Sequence, residues 1–400
     1  MAEDVLLSPL ELVLGRPLGT DRNAPDLPRV EHGTLPLAII EATLREGLEN
    51  PPCLVMFSGG RASSGVLATA VGLARRLDLE LPIPFTFRFP GVAEAEEGDW
   101  QEGVVRHLAL DNWERRTVDD EWDLIGPYAT SVLLRHGPIW PPNAFVLSIA
   151  AEAAEGGSVV TGSFGDELFA PDPQLLRNRA ALDRNGVMKT RDLIRLGLVL
   201  SPRLIRRFVA RRRLVRDEHL PPWLSSDLRP LARLALARDQ TEMHFRWDNA
   251  LKAAWRSRYT QVVGRVLRLL AADGNVRLVV PFGDPRFRVA FARLGGARGF
   301  RSRSEAMHLL FNGLLPTTLL QRSSKATFSG VFWNRHSHQF AREWSGAGLD
   351  PRMVDLEVLR QIWTWDPAEA ARPDSRSAVL LQAAWLATVG HITPVSVAGR

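Results

Sequence analysis

Two short apolar runs, each broken by a glycine–serine turn that opens straight into a helical pattern, restrict this chain to few folds. The first run is Cys53-Leu54-Val55-Met56, followed by Phe57-Ser58-Gly59-Gly60-Arg61-Ala62-Ser63-Ser64-Gly65. The second is Ser158 to Thr161, followed by Gly162-Ser163-Phe164-Gly165-Asp166-Glu167, about a hundred residues further on. A buried strand ending in such a turn delivers its polar residues to the carboxyl edge of a sheet. In the first turn, two glycines let backbone amides come close to an anion. Ser63 and Ser64 then open a helix whose positive end faces the same spot, a combination that suits a pyrophosphate. In the second turn Asp166 and Glu167 form a natural Mg²⁺ anchor, because that ion takes a few carboxylate oxygens together with phosphate and water. Each turn alone has a plainer reading, a serine-capped turn for the first and acidic complement to a helix dipole for the second. The chain has no G-x-x-x-x-G-K-[ST] string and no G-x-G-x-x-G string, so it is neither a P-loop protein nor a carrier of the dinucleotide fingerprint.

Strands near 53–57, 84–89, 115–118 and 158–161 alternate with helices near 63–78, 99–109, 121–135 and 143–155. That alternation predicts an α/β fold, a parallel sheet with helices on both faces, whose ligand lies outside the carboxyl ends of the strands. Residues 1–50 read as a short helical segment, with Leu37, Ile40, Leu44 and Leu48 at helical spacing. The nucleotide core is placed at 51–172, an arginine-rich helical region at 173–275, and the remainder of the site-forming domain with an α-helical lobe at 276–400.

Several further segments carry a resemblance. Phe89-Pro90-Gly91 is followed by Glu94, Glu96 and Glu97 before Trp100, and Pro138 to Asn143 precedes the helix leading into T-G-S-F-G-D-E-L-F. Pro281-Phe282-Gly283-Asp284 comes later, then Gly313-Leu314-Leu315-Pro316, Arg322 and Lys325-Ala326-Thr327-Phe328. In this order, these resemble the synthetase domain of the asparagine synthetase family, a branch of the ATP pyrophosphatases whose loop is S-G-G-x-D-S-S. The resemblance covers nearly the whole chain beyond residue 50 and implies an adenine nucleotide alpha hydrolase-like sheet. It implies an ATP-dependent, AMP-forming amide synthetase, with ATP and Mg²⁺ as ligands. On the matching positions, Met56, Ser58, Gly59, Gly60, Ser63, Ser64, Thr161 and Gly162 bind the nucleotide. Asp166 holds the metal with Glu167 assisting, and Arg303 and Lys325 complete the catalytic set.

Three positions depart from the family pattern. Ala62 stands where the loop has aspartate, and Ser163 where the second motif usually has glutamate. The lysine that steadies the adenylate falls on Ser304, with Arg301 and Arg303 close by to supply positive charge. A guanidinium is not an ammonium, being planar and forked. These departures also admit an alternative, a catalytically impaired ATP-binding or peptide-binding protein of the same fold.

Composition narrows the partners. The chain has 400 residues, 45% of them hydrophobic, enough for a large core. Its calculated pI is near 10, yet the net charge is only +5 and 47 of the 50 basic residues are arginine. The arginines of 203–216 alternate with Leu204, Ile205, Phe208 and Val209, which reads as a solvated amphipathic helix or a docking face for an acidic peptide, with nucleic acid unlikely. The tryptophans of the last hundred residues (Trp333, Trp344, Trp363, Trp365, Trp385) read as core. His336 and His338 lack a third ligand at a usable offset, so no zinc site is expected. One cysteine, Cys53, allows no internal disulfide, and the acidic opening Met-Ala-Glu-Asp-Val has no secretory pattern, so a cytoplasmic protein without membrane spans is expected. Position 2 is Ala2, so no N-terminal glutaminase is expected and the amide nitrogen must come from ammonia, a substrate amine or a partner protein. The expected substrate is a small-molecule or peptide carboxylate, with a peptide or specialised metabolite favoured over free aspartate. Lasso-peptide cyclases are relatives that work on a precursor peptide in this way.

Overall fold

The computed structural model describes residues 7–169, 220–239, 246–322, 326–364 and 374–395, with residues 197, 201, 205, 208, 209 and 244 between them. The arginines of 203–216, Trp365 and Lys325 lie outside the described residues.

Five parallel strands form one sheet in the order β3-β2-β1-β4-β5. They are β1 (Cys53–Met56), β2 (Ile83–Arg88), β3 (Glu114–Thr117), β4 (Ser158–Val160) and β5 (Arg277–Val279). Val55 of β1 lies between Pro84 of β2 and Val160 of β4. Leu54, Val55, Val159 and Val160 are at most 1% exposed, which is why β1 and β4 read as unbroken apolar runs instead of alternating ones. The edge strand β3 reads Glu-Arg-Arg-Thr, and its charges protect an open edge from pairing.

Helices α1 (Pro9–Leu14) and α2 (Pro36–Leu48) come first, then α3 (Arg61–Leu77) and α4 (Gly98–His107). Next are α5 (Pro127–His136), α6 (Val146–Ala153) and α7 (Gly165–Phe169). α2 lies so close to the sheet that a Cβ on its Gly47 would sit 3.0 Å from Val279 and 3.6 Å from Cys53 Sγ. From β1 the chain winds through α3 and α4 out to β3. It then returns through α5 and α6 to insert β4 on the far side of β1, and continues outward to β5. The winding direction therefore reverses between β1 and β4, and in such sheets the crevice beyond the strand ends at this reversal is where ligands bind. Both glycine–serine turns leave from those two strands.

Three details differ from the sequence expectation. α3 begins at Arg61, with Gly60 at its N-cap. Ser63 and Ser64 occupy its first turn because their hydroxyls donate back to the Gly60 carbonyl at 3.0 and 2.9 Å. α5 begins at Pro127, not near 121, because the buried Asp123 carboxylate gathers the Ile125, Asn334 and Ser337 amides and the Ser337 hydroxyl. These bonds hold the preceding turn out of the helix, and Pro127 suits the first helical position. β5 is only three residues long, too short to give a periodic signal.

Trp333, Trp344 and Trp363 are buried, as expected of core residues. Among the described residues no helix is long and apolar enough to cross a membrane.

Candidate nucleotide site

The β1 turn is built for close approach. Gly59 has φ +81°, and a Cβ there would stand 2.9 Å from Gln101 Cγ and 3.4 Å from Glu97 Oε2. Only glycine fits, for both conformation and space. Ser58 Oγ accepts from the Gly60 amide at 3.3 Å and lies 3.1 Å from Ser63 Oγ. The first amides of α3, on Arg61, Ala62 and Ser63, have no carbonyl one turn earlier to bond, and they point out of the helix at the turn. Behind the turn Arg322 and Glu97, both buried, form an ion pair. Arg322 also donates to the Gly59 carbonyl at 3.2 Å and stacks over Trp100 at 4.6 Å, while Glu97 accepts from the Ala326 amide at 2.9 Å.

The β4 turn is held against the first. Thr161 extends the ladder by donating its amide to Val279 at 3.0 Å, and its hydroxyl lies 2.9 Å from Ser163 Oγ. Phe164 has φ +70°, a strained value for a non-glycine residue of the kind found at functional turns. A Cβ on Gly165 would come within 2.8 Å of the Ala62 methyl, so the two turns touch backbone to side chain at this point.

A third segment closes the site. Ser302 caps the helix Arg303–Phe311 by accepting from the Glu305 amide. This helix crosses α3 where Gly65 leaves room for the Phe311 ring, to which an added Cβ would be 2.7 Å. The crossing sets Arg303 Nη1 2.7 Å from Asp166 Oδ1, and Arg61 Nη1 donates to Ser304 Oγ at 3.0 Å. Burial chiefly, then repulsion from Arg303 and Arg322, holds the Arg61 guanidinium below its ordinary pKa, with Asp166 opposing. Tyr259 donates to Glu167 Oε1 at 2.6 Å, and its phenol is raised by burial first and by the Glu167 charge second.

These groups surround a cavity of about 480 Å³. Its wall combines polar groups, Ser58, Gly60, Arg61, Ser63, Asp166 and Arg303, with aromatic ones, Phe85, Phe87, Phe89, Trp122 and Phe328. The aromatic rings form a continuous edge-to-face set, Phe87 and Phe89 each 4.7 Å from Trp122. Cationic groups and flat apolar rings around one cavity suit a ligand with a phosphate chain and a flat organic part.

A family model for asparagine synthase matches residues 38–388. The chain belongs to the asparagine synthase family. No curated protein matches it. Asparagine synthase chemistry is ATP-dependent, amide-forming ligation, and the family uses ATP as substrate, generally with Mg²⁺.

Most of the sequence-predicted residues converge on this cavity. Met56, Ser58, Gly60, Ser63, Thr161, Gly162, Asp166, Glu167 and Arg303 all line it, and Gly59 shapes its floor through its backbone. Ser64 is a correction: it is fully buried, and both its amide and its hydroxyl are spent on the Gly60 carbonyl. Lys325 is not among the described residues.

Among the described residues no three His, Cys, Asp or Glu side chains gather as a metal cage. Mg²⁺ asks for less, one or two carboxylates beside phosphate oxygens and water, and Asp166 meets that: its side chain is 53% exposed and it lines the cavity. Glu167 is engaged by Tyr259, and at the second carboxylate position the Ala62 methyl rests on Gly165.

Sequence reasoning missed Arg61, Gln101, Trp122 and Tyr259. Arg61 stands inside the glycine loop itself, where a charge at the mouth of a phosphate turn was the available signal. The period-two triple Phe85, Phe87, Phe89 at the tip of β2 marked the aromatic wall. Tyr259 arrives from the helix Arg258–Asp273, far away in sequence, and no local pattern announced it.

Proposed function

We propose that this protein is an AMP-forming amide synthetase that activates a carboxylate on a peptide or specialised metabolite. One observation carries the reading: the two turns leave neighbouring strands at the reversal of winding and line one cavity, whose wall carries both guanidiniums and aromatic rings. The pyrophosphate of ATP rests on Ser58, Gly60, Ser63 and the first amides of α3, with Arg61 and Arg303 beside it. Asp166 would hold Mg²⁺ against the phosphates, and the ion would supply charge neutralisation there.

A substrate carboxylate oxygen attacks the α-phosphorus; the O–P bond forms, the bridging α–β P–O bond breaks, and pyrophosphate leaves. An amine then attacks the acyl carbon; the C–N bond forms, the C–O bond to AMP breaks, and AMP leaves. The amine sheds one proton. Of the carboxylates on the cavity wall, Glu97 is paired with Arg322 and Asp166 with Arg303, which leaves Glu167, bonded by Tyr259, as its acceptor. Fixed donors aimed at developing charge do most of the work in such transfers.

About 480 Å³ lies in the lower half of ligand-pocket sizes, roughly 300–1,000 Å³, room for one nucleotide-sized ligand. A second reading, nucleotide binding without turnover, has its own observation in the Ala62 methyl packed where a metal carboxylate would stand. The test is AMP formation from Mg·ATP, with peptide and small-molecule carboxylates offered alongside ammonia or an amine. AMP appearing in step with amide supports the synthetase. ATP binding with no AMP from any acceptor offered sinks it in favour of the second reading.

A further inference from the structure

The cavity carries three guanidiniums and three carboxylates, Glu97, Asp166 and Glu167, so what matters is how they pair. Arg61, Arg303 and Arg322 all line the cavity. Arg322 is matched by Glu97 and Arg303 by Asp166, but Arg61 donates to neutral groups, Ser304 Oγ at 3.0 Å and the Leu320 carbonyl at 3.5 Å. The charges acting on Arg61 are two cations and one anion, and its guanidinium is disfavoured by burial and by both cations. The buried Nε of Arg303 has no hydrogen-bond acceptor. Bringing like charges together has a cost that a bound polyanion removes. Meanwhile Ala62 places a methyl group where the family pattern has a carboxylate.

Resting on the nucleotide reading above, we propose that Arg61 and Arg303 form a pyrophosphate clamp that works without a divalent cation, with Asp166 competing against the ligand for Arg303. Two forked guanidiniums present parallel N–H donors that match phosphate oxygens. Arg61 stands in the loop and Arg303 at the start of the facing helix, and the bond from Arg61 to Ser304, the residue after Arg303, brings the two guanidiniums into one patch. Asp166 pairs with Arg303 at 2.7 Å, and pyrophosphate displaces it.

The test is calorimetric titration of the whole chain with inorganic pyrophosphate in EDTA, and separately with Mg·ATP. Wild type binds pyrophosphate in EDTA, and Arg61→Ala and Arg303→Ala each weaken that binding about tenfold or more. Arg61→Lys recovers part of the loss, which a purely packing role would not. Asp166→Asn alters a half-exposed side chain and keeps the fold; it tightens metal-free binding by roughly three- to tenfold, by removing the competing charge. Weaker or unchanged metal-free binding in Asp166→Asn overturns the competition and with it the clamp. Mg·ATP binding without any pyrophosphate binding in EDTA overturns the clamp and leaves the nucleotide reading standing. Binding of neither ligand brings down both.

Discussion

The Glu97–Arg322 pair behind the β1 turn offers the sharpest test of how the site is held. Both side chains are 5% exposed, and together they tie α4's N-cap residue to the glycine loop and to the 326 backbone. Removing Glu97 alone takes the ion-pair partner from a guanidinium held out of water, a change that typically costs about 3–5 kcal/mol. Removing Arg322 alone strands the carboxylate at similar cost. Replacing both, as Glu97→Leu with Arg322→Met, removes the two desolvated charges together, and such apolar replacement is often neutral. What the double variant still loses is the donor to the Gly59 carbonyl and the acceptor of the Ala326 amide, each about 1 kcal/mol. The double variant should therefore lose only about 2 kcal/mol, where simple addition predicts about 6–10 kcal/mol. Urea unfolding followed by tryptophan fluorescence reads this, since Trp100 stacks on Arg322. Costs that add, or a Glu97→Leu variant within about 1 kcal/mol of wild type, refute the claim that these two charges compensate each other. The double variant should still bind ATP more weakly, because the Gly59 turn is no longer pinned.

Three other outcomes are expected. Gly65→Ala would ordinarily stabilise a helix by up to about 1 kcal/mol, but here its Cβ meets the buried Phe311 ring at 2.7 Å, so thermal unfolding should fall and pyrophosphate affinity weaken as Arg303 is displaced; a higher melting temperature contradicts the packing. Ala62→Asp puts a carboxylate beside Asp166, and should lower metal-free pyrophosphate affinity by about three- to tenfold while raising affinity with Mg²⁺, an effect titration with and without EDTA would reveal or deny. Cys53 is buried, and burial first, then Glu80, raises its thiol from 9.0 to about 12. The folded state then holds its proton where the unfolded chain has released it, so this contribution to stability is intact below about pH 9 and drains away as pH rises toward 12. Urea midpoints measured from pH 8 to 10.5 should decline more steeply in wild type than in Cys53→Ala, and equal slopes would contradict it.

What the sequence revealed and what it hid divide along a physical line. Strands buried on both faces write themselves as apolar runs, and glycine-bearing turns mark where those runs end, so β1, β4 and both turns were legible from residue order alone. Charge partners are set by three-dimensional crossings, and these left no local trace. Nothing near Arg303 says that its partner is Asp166, because the contact depends on Phe311 nesting over Gly65 more than two hundred residues away in sequence. Ser64 shows the opposite failure. Its hydroxyl looks like a phosphate donor, yet one residue of difference on a helix rotates a side chain by about a hundred degrees, and Ser63 faces the cavity while Ser64 faces the core. The same rotation brings Ala62 round to Gly165, and the family pattern would set its carboxylate there, facing the second turn. Arg61 therefore stands in the same helical turn as the position where the family pattern has a carboxylate and this chain has a methyl group. The phosphate turn lacks that anion while the backbone that cradles the ligand is kept, so the departure should appear in metal dependence before it appears in nucleotide affinity.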